Sequence, residues 1–235
     1  MQVRTAILAG ATGLVGRSVL RELLQDPLYG RIVALTRRPL ALSHVKLEIV
    51  QTDFSDLDEL NLSGDDAFCC LGTTLRAAGS PNAFRRVDYG HVVDFAGTVR
   101  RQGGKRFAVV SSLGADAGSR LLYPRTKGEM ERTVAAMGFS ALAILRPSLL
   151  LGDRAERRPA ERAAIAVSTK IAPLLIGPLR RYRPIEAATV ARAMVRLMRS
   201  APPGTRIVES EALAEACAAS APVRDLPMWG ASPLR

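Results

Sequence analysis

The sequence predicts an α/β fold, a doubly wound parallel sheet with helices on both faces, and three observations predict it. Short β-branched runs alternate with longer helical patterns through the first two-thirds of the chain, the order expected of βαβ units. A glycine-rich turn joins the first strand to the first helix. After Arg146-Pro147 the pattern changes to helices, so a small C-terminal helical region should follow the sheet.

Strands are expected at 3–9, 31–36, 46–51, 66–71, 106–111 and 141–146, with a last extended piece at 205–209. The first begins almost at residue 1, which leaves no room for a leader peptide. Leu14, Val15, Val19, Leu20, Leu23 and Leu24 share one face at helical spacing. They predict a helix over 14–26, and Asp26-Pro27 stops it. Further helical patterns span 82–102, 124–137, 160–176 and 186–199, with a weak one at 55–60. From Ala218 onward the chain has three prolines and no periodicity, so residues 218–235 read as a loosely ordered tail. If that tail is ordered, Met228-Trp229 is its anchor. Residues 1–217 are expected to form one domain.

Apolar residues at 48% and charged residues at 23% are ordinary for a globular protein and exclude collagen, long coiled coil and wholesale disorder. The longest apolar stretches, such as Leu149-Leu150-Leu151, are far short of the ~20 residues of a membrane span, so no membrane partner is expected. Three cysteines, with Cys69 and Cys70 adjacent, build no disulfide framework and suggest a reducing cytoplasm. The net charge of +11 allows an acidic partner. The arginines are scattered, however, and aromatics are only 5%, so a stacking platform for nucleic acid is missing. Nucleic-acid binding is not expected as the main function. His44 and His91 have no Cys or Asp at ligand spacing and read as surface or capping residues, with no metal site.

Gly10-Ala11-Thr12-Gly13-Leu14-Val15-Gly16 lies between strand and helix, the context in which a glycine pattern carries chemistry. Gly10 allows the tight turn, Gly13 lets the backbone approach a pyrophosphate, and Gly16 lets the helix pack close to the sheet. The helix N-terminus, opening at Leu14 and Val15, supplies N–H donors and partial positive charge. These features define a Rossmann-type dinucleotide site. Where the second strand ends, a carboxylate would favour NAD; this chain has Arg37-Arg38, whose guanidinium forks suit a 2′-phosphate. NADP(H) is therefore the expected cofactor. Asp53, just after the third strand, could accept from the adenine amino group or could serve a turn or helix cap. Leu71-Gly72-Thr73 would pass under the adenine ribose, with glycine where a side chain would collide.

Ser111-Ser112 ends the fifth strand, and Tyr123-Pro124-Arg125-Thr126-Lys127 opens the next helix, with Lys127 one turn beyond Tyr123. An ordinary phenol, pKa ~10, is a poor base at neutral pH, but an adjacent ammonium favours the phenolate. Tyr123 is then the proton donor or acceptor while hydride moves, Ser112 orients the carbonyl oxygen, and Lys127 tunes the phenol and holds the nicotinamide ribose. Pro124 is expected at the first helical position, with Tyr123 as an extended N-cap.

Gly-Ala-Thr-Gly-Leu-Val-Gly, Ser111-Ser112, Tyr-Pro-Arg-Thr-Lys and Arg146-Pro147 together resemble the short-chain dehydrogenase/reductase superfamily. Phe68-Cys69-Cys70-Leu71-Gly72-Thr73-Thr74, Arg86-Val87-Asp88, Ser111 to Asp116, Lys127-Gly128-Glu129, Asp153-Arg154 and Arg158-Pro159 resemble its atypical Tat-interacting-protein-like branch, over roughly residues 3–215. The resemblance implies NADPH binding and a Tyr-Lys active site. By position it also implies cofactor contacts from Arg37, Arg38, Leu71, Gly72, Leu150 and Arg158, with Arg154 and Arg157 competing for the last role. Asp88 stands where the wider superfamily often has Asn. Segment 148–200 is the expected substrate side, and only a short stretch of chain follows Pro147 to hold a nucleotide sugar.

Three functions compete. The first is an NADPH-dependent oxidoreductase for a small carbonyl or alcohol; the second is an NADPH-binding regulator with little turnover. The third is an epimerase-like isomerase that keeps its cofactor. A homodimer is compatible with the fold. Arg180-Arg181-Tyr182-Arg183 either meets an acidic substrate group or is plain surface charge.

Overall fold

In the computed structural model, residues 3–152 and 177–218 are described. The chain runs β1 (Arg4–Ala9), α1 (Leu14–Gln25), β2 (Tyr29–Thr36), β3 (Leu47–Gln51) and, after a 3-10 turn at Leu57–Glu59, β4 (Asp66–Cys69). Two short helices, α2 (Leu75–Ala78) and α3 (Pro81–Arg85), lead through a π-helical segment (Arg86–His91) into α4 (Val92–Arg101). Then come β5 (Arg106–Val110), α5 (Leu122–Ala135), β6 (Ala141–Arg146) and β7 (Leu150–Leu151). The second described stretch holds a 3-10 turn (Gly177–Tyr182), β8 (Ile185–Glu186), α6 (Ala187–Ser200), β9 (Gly204–Glu209) and α7 (Ser210–Ala218).

Seven strands form one sheet in the order β3-β2-β1-β4-β5-β6-β9. Every pairing in it is parallel. The chain winds outward from β1 to β3 and then restarts at β4 on the other side of β1. That reversal opens a crevice at the carboxyl ends of the strands, where doubly wound sheets bind ligands. Side chains alternate across the sheet with period two. Ala6 and Leu8 pack with Val19, Leu20, Leu23, Val190, Met194 and Met198 on the face covered by α1 and α6. Ile7 and Ala9 pack with Phe95, Val99, Met130 and Val134 on the face covered by α4 and α5. Both faces are buried, so β1 reads as the near-continuous apolar run expected of a central parallel strand.

The amino ends of the strands are tied by a polar cluster. Asp66 is fully buried, and Tyr29 donates its hydroxyl to Oδ2 at 2.8 Å. Arg106 Nε reaches Oδ1 at 2.5 Å. This closes the end of the sheet opposite the crevice.

The structure corrects the sequence expectations at several points. The helix expected over 82–102 is broken in hydrogen-bond pattern by the π segment, which the apolar periodicity does not reveal. α5 begins at Leu122, with Leu121 as its N-cap, so Tyr123 lies inside the first turn and is not an extended cap. Pro124 is tolerated there because first-turn N–H groups have no intrahelical partner. α7 was not foreseen; its Ala- and Glu-rich sequence has weak periodicity, and Leu213 is its buried contact with the core. The 205–209 piece is β9, the edge strand beside β6. The expected helix 160–176, the charged run from Arg154 to Arg162 and residues 219–235, with Met228 and Trp229, lie outside the described residues.

Candidate cofactor and active site

Gly10, at φ +86°, adopts the left-handed backbone that the turn after β1 needs, and a Cβ there would sit 2.7 Å from the Cys70 carbonyl. A Cβ on Gly16 would lie 1.9 Å from the Gly10 oxygen, so α1 can lie this close only without one. Gly13 is the N-cap of α1, its N–H donating to Gly10 O at 3.0 Å. No side chain caps this terminus and no acidic residue stands in its first turn. The amides of Leu14, Val15 and Gly16 therefore begin a helix dipole that faces the crevice. Thr12 is exposed on the loop and Val15 is buried beneath it. The Leu14 side chain leans on Gly152, just past β7, where Leu150 pairs with Ile185. The cradle fits a dinucleotide pyrophosphate.

At the end of β2 the Thr36 hydroxyl is buried without a partner among the described residues. Arg37 and Arg38 are exposed there. Among the described residues neither has an acidic partner, whereas the partly buried Arg4, Arg106 and Arg146 do. Asp53 is exposed, and its Oδ1 accepts the Ser55 N–H at 2.9 Å and the Ser55 hydroxyl at 2.6 Å. These hydrogen bonds hold its carboxyl below the usual range, the mark of an Asx turn. Of the two roles left open for Asp53, the geometry builds the turn.

His91 is capping by position only. It stands at the N-cap position of α4 but makes no side-chain cap hydrogen bond; half-buried at the end of the π segment, its ring lies 5.7 Å from that of Phe54, which has φ +70°. Burial lowers its pKa, and the Arg37 and Arg86 guanidinium groups push the same way. Arg86 thus shares an electrostatic neighbourhood with Arg37. Its place in the chain gave no hint of this, because only the π segment brings it there. His44, by contrast, caps a turn as expected, accepting from Lys46 N at 3.1 Å.

Below the loop Leu71-Gly72-Thr73 lies a buried ion pair. Lys127 Nζ is 2.7 Å from Asp88 Oδ1, and Asp88 Oδ2 accepts the Thr73 N–H at 2.7 Å. Gly72 passes directly over them, so that a Cβ would meet Asp88 Oδ1 at 3.3 Å and Lys127 Nζ at 3.6 Å. Leu71 is half-buried against the α4 side of the core.

The two serines after β5 have different duties. Ser111 donates to Glu131, which also holds Arg146 through two of its nitrogens, at 3.0 and 2.6 Å. The Ser112 hydroxyl is buried with no protein partner among the described residues. The loop that follows is seated on α5: Asp116 N–H donates to Pro124 O at 3.0 Å. A Cβ on Gly128 would lie 2.1 Å from Ala117 N, so glycine is needed for that seat. Tyr123 is 37% exposed, and its ring stacks on Phe84 with centroids 5.4 Å apart. Lys127 is 3% exposed. An accessible phenol and a buried ammonium one turn apart thus share a helix face.

The Arg180–Tyr182 group has local partners: Arg180 lies 3.8 Å from Glu211, and Arg181 stacks over Tyr182 at 5.1 Å. Arg158 lies outside the described residues. Among the described residues no group of three or more His, Cys, Asp or Glu side chains could hold a metal ion.

An α/β nucleotide-binding protein is the class this fold and site define. The chain matches the NAD(P)H-binding family over residues 10–201 and belongs to it. It is 40% identical to protein HTATIP2 of Rattus norvegicus over 169 residues, 68% of this chain and 69% of that protein. It is 36% identical to the mitochondrial protein fmp52 of Aspergillus fumigatus over 197 residues, 80% of this chain and 84% of that one. These relatives place it in an atypical branch of the short-chain dehydrogenase/reductase superfamily. Among solved structures, the Bordetella bronchiseptica enzyme WbmH in complex with NAD+ superposes with TM-score 0.67 at 13% identity, covering 89% of this chain and 76% of that one. A UDP-N-acetylglucosamine 4-epimerase from Methanobrevibacter ruminantium superposes with TM-score 0.65 at 16% identity, covering 92% and 81%. Both show the same Rossmann architecture.

The cytoplasmic expectation is overturned by these comparisons. The fmp52 proteins of Aspergillus fumigatus and Candida albicans are named as mitochondrial. Cysteine usage reports only a reducing surrounding, which is not unique to the cytoplasm.

Substituting Gly16→Ala puts a methyl group into the Gly10 carbonyl. The expected result is a loss of about 1–3 kcal/mol in urea unfolding. Cofactor binding by calorimetry should weaken at least tenfold, since loop and helix must part.

Proposed function

We propose that the chain is an NADP(H)-dependent oxidoreductase that moves hydride between nicotinamide and a small carbonyl or alcohol. The observation that carries this reading is the exposed Tyr123 one helical turn from the buried Lys127, together with a buried Ser112 hydroxyl that has no protein partner among the described residues. When bound, the cofactor supplies or accepts the hydride. The uncapped N-terminus of α1 holds its pyrophosphate against the Gly10–Gly16 loop. Arg37 and Arg38 take the 2′-phosphate, with Arg86 adding positive charge beside them. Ser112 donates a hydrogen bond to the substrate oxygen and Tyr123 gives or takes the proton there. Lys127 stabilises the negative charge that develops on the Tyr123 oxygen. The substrate is a small molecule held by the loop after Ser112 and the chain beyond Pro147.

A site built only to sense cofactor has no need of a phenol paired with a buried ammonium, which argues against the regulator. The isomerase reading draws support from fold likeness to 4-epimerases. It is separated from the first by net cofactor consumption, which an isomerase does not show.

Calorimetric titration tests the cofactor assignment. NADPH should bind at least tenfold tighter than NADH, and the Arg37→Ala/Arg38→Ala double variant should lose roughly 10–100-fold toward NADPH, the range of one or two charged hydrogen bonds. NADH affinity should stay within about twofold. Equal wild-type affinities would end the arginine assignment. Once a carbonyl screen yields turnover, Tyr123→Phe should lower kcat by about 10²–10⁴ with cofactor affinity unchanged. Full turnover in that variant would contradict the proton role.

A further inference from the structure

Glu131 stands on α5 one turn beyond Lys127 and two beyond Tyr123, so phenol, ammonium and carboxylate lie along one face of a single helix. The Glu131 side chain is buried. Arg146 grips both of its oxygens, Nε on Oε1 at 3.0 Å and Nη2 on Oε2 at 2.6 Å, the forked geometry of a strong pair. The Ser111 hydroxyl donates to Oε1 as well. Stability does not account for the pair, because replacing buried charges by apolar groups is often neutral or stabilising. It has another consequence: the carboxylate is a fixed acceptor to which the serine at the end of β5 is tied.

The next residue is Ser112, whose buried hydroxyl has no protein partner among the described residues. Its backbone is held on either side. Ser111 N–H donates to Leu145 O at 2.7 Å, Leu113 N–H to Pro147 O at 2.9 Å, and Ala115 N–H to Ser112 O at 3.2 Å. Those bonds reference Ser112 to β6 and to its own turn. The Ser111–Glu131 bond, and further along the loop the Asp116–Pro124 bond, reference it to α5, the helix that carries Tyr123. The first of these acts on the residue directly before Ser112. A hydroxyl and a phenol serve one reacting oxygen only while both keep hydrogen-bond reach of it. We propose that Glu131, acting through Ser111, is a positioning residue that registers the Ser112 hydroxyl to Tyr123, with Arg146 locking the carboxylate in place. This deepens the oxidoreductase reading of the same site and rests on it.

Ser111→Ala is the variant of choice, because it cuts the tether and leaves the Glu131–Arg146 pair intact. Amide hydrogen exchange on the full chain reads the tether without any substrate. Exchange at Ser111, Leu113 and Ala115 should quicken about tenfold or more, the effect of losing one hydrogen bond to a charged group. Exchange in β1 should stay as in wild type. Turnover with NADPH and a panel of simple aldehydes and ketones reads the consequence. On the fastest member Ser111→Ala should lower kcat about tenfold, with NADPH affinity by calorimetry within about twofold of wild type. In a Ser112→Ala background the same substitution should change kcat by less than about twofold, since no hydroxyl is left to place. Unchanged exchange at Leu113 and Ala115 overturns the proposal. So do kcat losses that simply multiply, which is what a purely structural residue would give. If Ser112→Ala keeps wild-type kcat, or no member of the panel turns over, the oxidoreductase reading fails first and this proposal falls with it, whatever the exchange shows.

Discussion

A single close approach governs the site: α1 rests against the turn that feeds it, with 1.9 Å between the Gly10 oxygen and the place a Gly16 Cβ would occupy. Two glycines make it feasible, Gly10 by its left-handed backbone and Gly16 by its missing side chain. With α1 so seated, its free N-terminus points into the crevice between β1 and β4, and its apolar face meets α6 over the sheet. The same turn lies against the Cys70 carbonyl, which fixes where the Leu71-Gly72-Thr73 loop starts. Cofactor cradle, core and active-site floor are thus consequences of one packing constraint.

Buried charge organises the other half of the site. Asp88 ties the Thr73 amide to Lys127, linking the β4 loop, the π segment and α5. Glu131, one turn beyond Lys127, ties Ser111 and Arg146, linking α5 to β5 and β6. Each carboxylate has a cation beside it, Lys127 for Asp88 and Arg146 for Glu131, which is the condition for keeping a charge inside a protein. Ser112 and Tyr123, the groups assigned to the reaction, have no such partners among the described residues.

Much of this was legible in the sequence. The strand pattern, the glycine loop and the Tyr-Lys spacing are local signals, and each has a direct physical meaning in a short window. Arg146-Pro147 marked the end of the last inner strand for the same reason. What was not legible depends on hydrogen-bond register or long-range packing. The π segment leaves apolar periodicity intact over 82–102, so Asp88 and Arg86 could not be aimed from sequence. The start of α5 at Leu122 depends on the seat of the preceding loop on Gly128, a contact between distant segments. His91 looked like an ordinary polar residue because its partner, Phe54, comes from the distant loop after β3. Ser112 was assigned from sequence, but the physical reason that it and not Ser111 is left available, the Ser111 bond to Glu131, needed the fold.

The most direct test of this account is amide hydrogen exchange with and without NADPH. Protection should rise at Leu14, Val15 and Gly16, at Arg37-Arg38 and at Gly72-Thr73, the three backbone stretches gathered at the carboxyl ends of the strands. The amino ends around Asp66 and Arg106 should not change. Protection confined to those amino ends, or none at the glycine loop while NADPH is bound, would contradict it.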